Sequence, residues 1–344
     1  MSNPACVESA EIKRIERAAD TLKATFLTFR DETWHTHIFD VQCFPENIFI
    51  FDDPNKSLRW QGWFSHYPEE LVDTPDDRAA VLSAMASYDI AHLRKMIEQM
   101  LEGMDVILEE VLFSLNPPRR GTCISYGCKA VDLHDFDHWL IRITSCATGN
   151  QWAIDIAGAQ YDSHISCIPW ILACPKLISR TLAVLPFGTM ERYAVAMADT
   201  KGTDGVEIDV QMKAMQAFHA AIDPGMARKK LSWAVILGKD EKDYVRHRDK
   251  ILKKGTKAMG DFVLNSHLTK RRVKAERYEK RHFDELVEER NKICQDILGC
   301  QPRQVDACMH GLSEEISARL PSPPPGFKAA AVCEQRRIGG HGGE

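Results

Sequence analysis

DHWLIRITSCATGNQWAIDIAGAQY, residues 137–161, decides how this chain is read. Two apolar runs, HWLIRITS and QWAIDI, alternate with a period of two around the polar segment SCATGN, the pattern of a hairpin with a buried face. His138 stands at the mouth of the first run and Asp155 lies inside the second. They are symmetric about a point between Cys146 and Ala147. A turn centred there sets them on adjacent antiparallel strands, opposed or one step off, with Cβ atoms about 5–8 Å apart. Parity matters, because a slip of one residue sends the two side chains to opposite faces. Trp139 and Trp152 are then expected on the other face, as aromatic core.

A carboxylate beside an imidazole fixes its tautomer and stabilises its protonated form, which a base serving a Cys or Ser nucleophile requires. The order His, apolar run, turn, Trp-Ala-Ile-Asp resembles the His and Asp portion of the transglutaminase-like (Cys-His-Asp) superfamily, which includes arylamine-acetyltransferase-like enzymes. AGAQY, 157–161, also resembles a segment of a filamentous-fungal protein family. The resemblance implies a transglutaminase- or papain-like scaffold, with His138 as base and Asp155 as its orienter. An active member would be a thiol-dependent acyl transferase or amidohydrolase acting on an amide or thioester carbonyl; a degenerate one keeps the scaffold without the chemistry. In that superfamily the thiol opens a helix packed on the sheet, earlier in the chain.

The corresponding helix here, expected from about Asp76 to Leu115, contains no Cys and offers only Ser83 and Ser87 near its start. Cys43, in VQCFPEN before a Pro-Glu-Asn that can open a short helix, is therefore the candidate nucleophile, ahead of Cys123 and Cys128 beside the first strand. Gln160 is the candidate donor to a transition-state oxygen, or else a cap for its own loop. The competing reading makes His138 and Asp155 a satisfied cross-strand polar pair in an unrelated α+β domain.

Outward from this stretch, residues 9–30 place Ile12, Ile15, Ala19, Leu22 and Phe26 at helical spacing. Ile48–Phe51 reads as a short strand. Thr74, Pro75, Asp76 and Asp77 supply a capping hydroxyl, a first-turn proline and two acids where a helix begins. The stripe Ile90, Leu93, Ile97, Met100, Met104, Ile107, Leu108 and Val111 predicts its continuation as far as Asn116-Pro117-Pro118. TCISYG joins the two central runs as a strand, and Leu182–Leu185 and Tyr193–Met197 are weaker strands. Helical periodicity covers Glu207–Ile222 and dominates Lys239–Leu298, with Gly255, Gly260 and Asn265 as breaks.

The expectation is an α+β fold: an antiparallel sheet packed by a helix of the N-terminal half and by C-terminal helices. Residues 1–300 are expected as one domain, helical from about 207, and 301–344 as a largely flexible Pro- and Gly-rich tail.

A formal charge of -5 gives no global cationic field, and no window approaches the roughly 20 apolar residues of a membrane span. A cytoplasmic or nuclear address is expected, with no membrane partner. Eleven cysteines, an odd number spread along a long chain, read as free thiols. The C-x4-C of Cys123 and Cys128 and the C-x6-C of Cys167 and Cys174 lack the spacing of a zinc knuckle, and His35 and His37 bring no third ligand. No metal or cofactor is expected, and dinucleotide, nucleotide and zincin motifs are missing from the sequence. Between Lys239 and Arg281, 15 Lys or Arg face 7 Asp or Glu. That segment reads as solvated helices, with nucleic-acid binding the lesser alternative, and the rival to the enzyme reading is a non-catalytic interaction protein whose long charged helices bind a partner. The partner of an active scaffold would be a peptide or protein substrate.

Overall fold

Helix α1 (Pro4–Glu32) is driven by the expected stripe: Ile15, Ala19, Leu22 and Phe26 are fully buried. The computed structural model describes residues 4–34, 38–52, 67, 69–84, 86–126, 129–132 and 137–299. His35, His37, Cys128 and the 301–344 segment lie outside them.

Two sheets follow. The smaller has the order β1 (Ile38–Cys43), β2 (Asn47–Asp52), β4 (Gly121–Tyr126), β5 (Lys129–Asp132), with β2 and β4 parallel and the other pairs antiparallel. The larger is antiparallel throughout, in the order β8 (Cys167–Pro169), β7 (Gln151–Ile154), β6 (His138–Ser145), β3 (Val106–Leu115), β9 (Ile178–Pro186). The fold is α+β, as expected, but Thr122–Tyr126 of TCISYG belong to β4 in the smaller sheet, apart from its two supposed neighbours. Period-two alternation marks a strand without naming its partner, and β4 takes β2, far back in the chain, in the register Ile48–Thr122.

The long helix expected over 76–115 is four elements. Thr74 caps α2 (Pro75–Ser83), accepting the Asp77 amide at 3.1 Å; a 3-10 turn spans Ser87–Leu93; α3 covers Arg94–Leu101; and the chain then becomes β3. Gly103, at φ 75, turns it out of the helix, a conformation glycine adopts without steric cost. Ile107, Leu108 and Val111 continued the helical spacing by coincidence. The Glu109-Glu110 pair concealed the strand, because Glu110 reads as a solvated residue yet is 3% exposed. Its carboxylate accepts the amides of Gly188 and Met190, each at 2.8 Å. These contacts hold the start of α5 (Thr189–Ala198), so Tyr193–Met197, expected as strand, is helix. Helix N-termini favour an acceptor with negative charge, and here a distant strand provides it.

Beyond α5, α6 (Thr203–Arg228), α7 (Trp233–Leu237), α8 (Glu241–Asn265), α9 (Leu268–Glu279) and α10 (Phe283–Leu298) complete the described residues. Gly255 and Gly260 do not break α8. A Cβ at Gly255 would come within 2.1 Å of the Phe218 ring, so this glycine lets α8 approach α6. Asn265 does end its helix.

Both faces of the larger sheet contribute buried residues to a core. Trp139, Ile141, Ile143, Trp152 and Ile154 meet α1, α3 and the C-terminal helices in one core. Val111, Phe113, Leu140 and Ala153 meet α2, α4 (Trp170–Leu177) and residues of the smaller sheet in a second. Each fully buried aliphatic or aromatic side chain contributes about 1.5–3 kcal/mol to this arrangement.

Candidate functional site

The two central runs form the predicted hairpin, in the register Ile141–Ile154 and Ile143–Trp152. Ser145 donates its amide to the Asn150 carbonyl at 2.9 Å to close it. His138 begins β6 opposite Phe113 of β3, and Asp155 follows β7, its amide held by the Ser166 carbonyl at 3.0 Å. Nε2 of His138 and Oδ1 of Asp155 are 2.9 Å apart, with side-chain exposures of 0% and 3%. The tryptophans lie in the opposite core, as alternation requires.

Two aromatic neighbours missed at the sequence level enclose the imidazole. Phe113 and Tyr161 present rings at 5.4 and 5.1 Å between centroids, each nearly perpendicular to it. Tyr161 stood in the stretch that carried the resemblance, but its direction depends on the 3-10 turn Gly158–Tyr161. Gly158 is needed there because a Cβ would meet Oδ2 of Asp155 at 2.4 Å. The Ala157 amide donates to Oδ1 of Asp155 at 3.2 Å, so this turn also orients the carboxylate. Nδ1 of His138 makes no hydrogen bond with the described residues. The same holds for Oγ of Ser83, a buried residue of α2.

Gln160 is buried, and its Nε2 donates to the Ala157 carbonyl at 3.1 Å. Thr122 of β4 donates to the Gln160 carbonyl at 2.7 Å, fastening the turn to the smaller sheet. The side chain thus takes the loop-capping position.

Cys43 ends β1 and stands beside Asp77 of α2 and Arg120. Arg120 bridges the strands and the helix, giving one bond to the Phe44 carbonyl at 2.9 Å and another to Asp77 at 2.5 Å. Although Cys43 is an exposed residue, its thiol is pushed up to about 11. The desolvation it does suffer is the first cause and the Asp77 charge the next, against a smaller opposing pull from Arg120. At neutral pH such a sulfur is a thiol, whereas nucleophilic attack needs the thiolate. Among the described residues no hydrogen bond joins the imidazole of His138 to a cysteine. Cys167 is likewise pushed up to about 12, by burial first and then by Glu16 and Asp20. The described residues hold no group of three or more His, Cys, Asp or Glu side chains arranged to take a metal ion.

No family model, curated protein or solved structure matches the chain.

Proposed function

We propose that this chain is a Cys-His-Asp-type scaffold, transglutaminase- or papain-like in plan, in which the base and its orienter persist while thiol catalysis at Cys43 is lost. The observation that carries the proposal is the 2.9 Å contact of His138 and Asp155, closed off by Phe113 and Tyr161. The protonated state of Cys43 supports the loss. In this reading the pair is an interior fastening that fixes where β6, β7 and the turn after β7 meet.

Acyl transfer from thioester and aryl-ester model donors tests it, with acyl-protein detected by intact mass. The expected result is no acylation beyond that of Cys43→Ala. Stoichiometric acylation of a single cysteine that disappears in His138→Gln overturns it.

A protein-interaction role is the second reading, favoured by Ile165, Ile171 and Leu172, apolar side chains 56–79% exposed around β8 and α4. No helix of the described residues is long and apolar enough to cross a membrane. The basic stretch offers less to nucleic acid than its count suggests. Arg246, Arg248, Lys257, Arg271 and Arg272 pair with Asp243, Asp249, Asp261, Asp209 and Glu276 at 2.5–3.1 Å. A titration at two salt concentrations separates the cases, since phosphate binding tightens steeply as salt falls.

A further inference from the structure

The ion pairs that occupy much of the basic stretch leave one face of α9 untouched. Leu268 and Ala275 are buried, and Glu279 on the same side bonds Arg290 at 3.3 Å and the Thr203 hydroxyl at 2.6 Å. Arg272 and Glu276, flanking that side, hold each other at 2.8 Å, and Arg271 is taken by Asp209 of α6 at 2.5 Å. Both acids of α9 are therefore occupied within the fold. On the far side Lys270, Lys274 and Arg277, with Arg281 just past the helix end, recur at four, three and four residues and are all exposed. That spacing sets them in one row, a helical turn of about 5.4 Å apart, opposite Leu268, Ala275 and Glu279. Among the described residues none of the four is paired with a carboxylate. Lys280 is exposed at the edge of the row.

The row ends on an aromatic pair. The rings of Tyr278 and His282 are stacked, 4.3 Å apart and inclined by 20°. Exposed Lys201, from the link between α5 and α6, stands over Tyr278 at 5.5 Å. The amides of Arg281 and His282 both donate to the Tyr278 carbonyl at 3.0 Å, which fixes the turn that brings the rings together. The His282 side chain is 36% exposed, and its Nδ1 meets Oε2 of Glu285 at 3.0 Å. Glu285 and Asp284, in the first turn of α10, are the acids that follow this corner in the chain.

We propose that this corner binds single-stranded nucleic acid, with phosphates along the row of cations and a base stacked on the Tyr278–His282 pair. The charges of Lys201, Lys270, Lys274, Arg277, Lys280 and Arg281 are complementary to a polyanion, and the stacked rings decide which one. An acidic protein segment answers the charges but makes no use of a flat ring pair, whereas every base has a π face to lay on one. The unstacked bases of a single strand are free to do so, unlike those held inside a duplex. Recognition of this kind follows phosphate charge and stacking and tolerates any sequence.

Fluorescence anisotropy with the full chain and a labelled single-stranded DNA of about 12 nucleotides, within the site sizes of single-strand grooves, tests the proposal. Affinity should fall about fiftyfold between about 50 and 200 mM salt, since four neutralised phosphates each contribute about 0.7 to the slope. Lys274→Gln combined with Arg277→Gln should weaken binding and lower that slope by about 1.4. At about pH 8, where an ordinary imidazole is neutral, His282→Ala should weaken binding about tenfold and leave the slope unchanged. His282→Phe, which keeps a flat ring and forgoes the bond to Glu285, should retain most of the affinity. Lys250→Gln combined with Lys253→Gln, exposed cations of α8, should bind like wild type. Each replaced side chain is at least partly exposed, and circular dichroism checks that the variants fold. No binding at low salt overturns the proposal, as does binding indifferent to Lys274, Arg277 and His282. Displacement by polyglutamate of equal charge as effective as that by unlabelled DNA also overturns it, in favour of an acidic protein partner.

Discussion

Asp155 is not directly across the hairpin from His138. The register Ile141–Ile154, continued by one residue, puts Asp155 across from Leu140 and two positions along from His138, on the same face. Such diagonal neighbours are farther apart at Cβ than opposed ones, within reach only of longer side chains. An imidazole and a carboxylate close that gap to 2.9 Å, with the Asp155 amide held from the β8 side by the Ser166 carbonyl and its Oδ1 also accepting the Ala157 amide.

Breaking this pair leaves a buried polar group without its partner. His138→Ala and Asp155→Ala are each expected to lower unfolding stability by about 3–5 kcal/mol. The double variant should cost much less than the sum, since either change already forfeits the interaction. Urea unfolding monitored by tryptophan fluorescence checks both statements, with Trp139 and Trp152 on the opposite face as reporters.

That much of the site was legible in the sequence. The hairpin, its face alternation and the pairing of His138 with Asp155 follow from period-two spacing, which needs only local pattern. The turn lies one residue later than the point of symmetry, and the pair is diagonal as a result. The enclosing Phe113 was not legible, since the Glu109-Glu110 doublet made β3 resemble the end of a helix. Gln160 was placed as either donor or cap, and its hydrogen bond to Ala157 is the capping one. What defeated pattern reading throughout was distant chemistry: Glu110 sets the start of α5, and β2 supplies the partner of β4.

Cys43 carries a further consequence. Asp77 raises its thiol and Arg120 lowers it, so Asp77→Asn should speed alkylation at pH 8 several-fold and Arg120→Gln should slow it. Iodoacetamide rates read by peptide mass spectrometry measure the order. Equal rates in all three proteins would place the sulfur away from both charges.

At the helical end, Arg290 is 4% exposed and holds Asp204 at 2.8 Å and Glu279 at 3.3 Å, while Glu279 accepts the amide and hydroxyl of Thr203. Removing the cation strands two carboxylates at the start of α6. Arg290→Met is expected to cost about 3–5 kcal/mol, measured by urea unfolding, with Glu279→Gln costing less.

Gly255→Ala tests the close approach of α6 and α8. The added methyl meets the Phe218 ring, and overpacking of this kind costs about 1–3 kcal/mol. Phe218→Leu in the same chain should recover part of that loss, which thermal unfolding of the three variants would show.

The proposed absence of thiol catalysis is tested most directly by cysteine reactivity across pH 6–11, comparing wild type with His138→Gln under identical labelling. The two profiles should superimpose at every resolved cysteine, with none reacting at pH 7 faster than a free-cysteine standard. One cysteine that labels rapidly at pH 7 in the wild type, and slows sharply when His138 is replaced, would contradict that proposal.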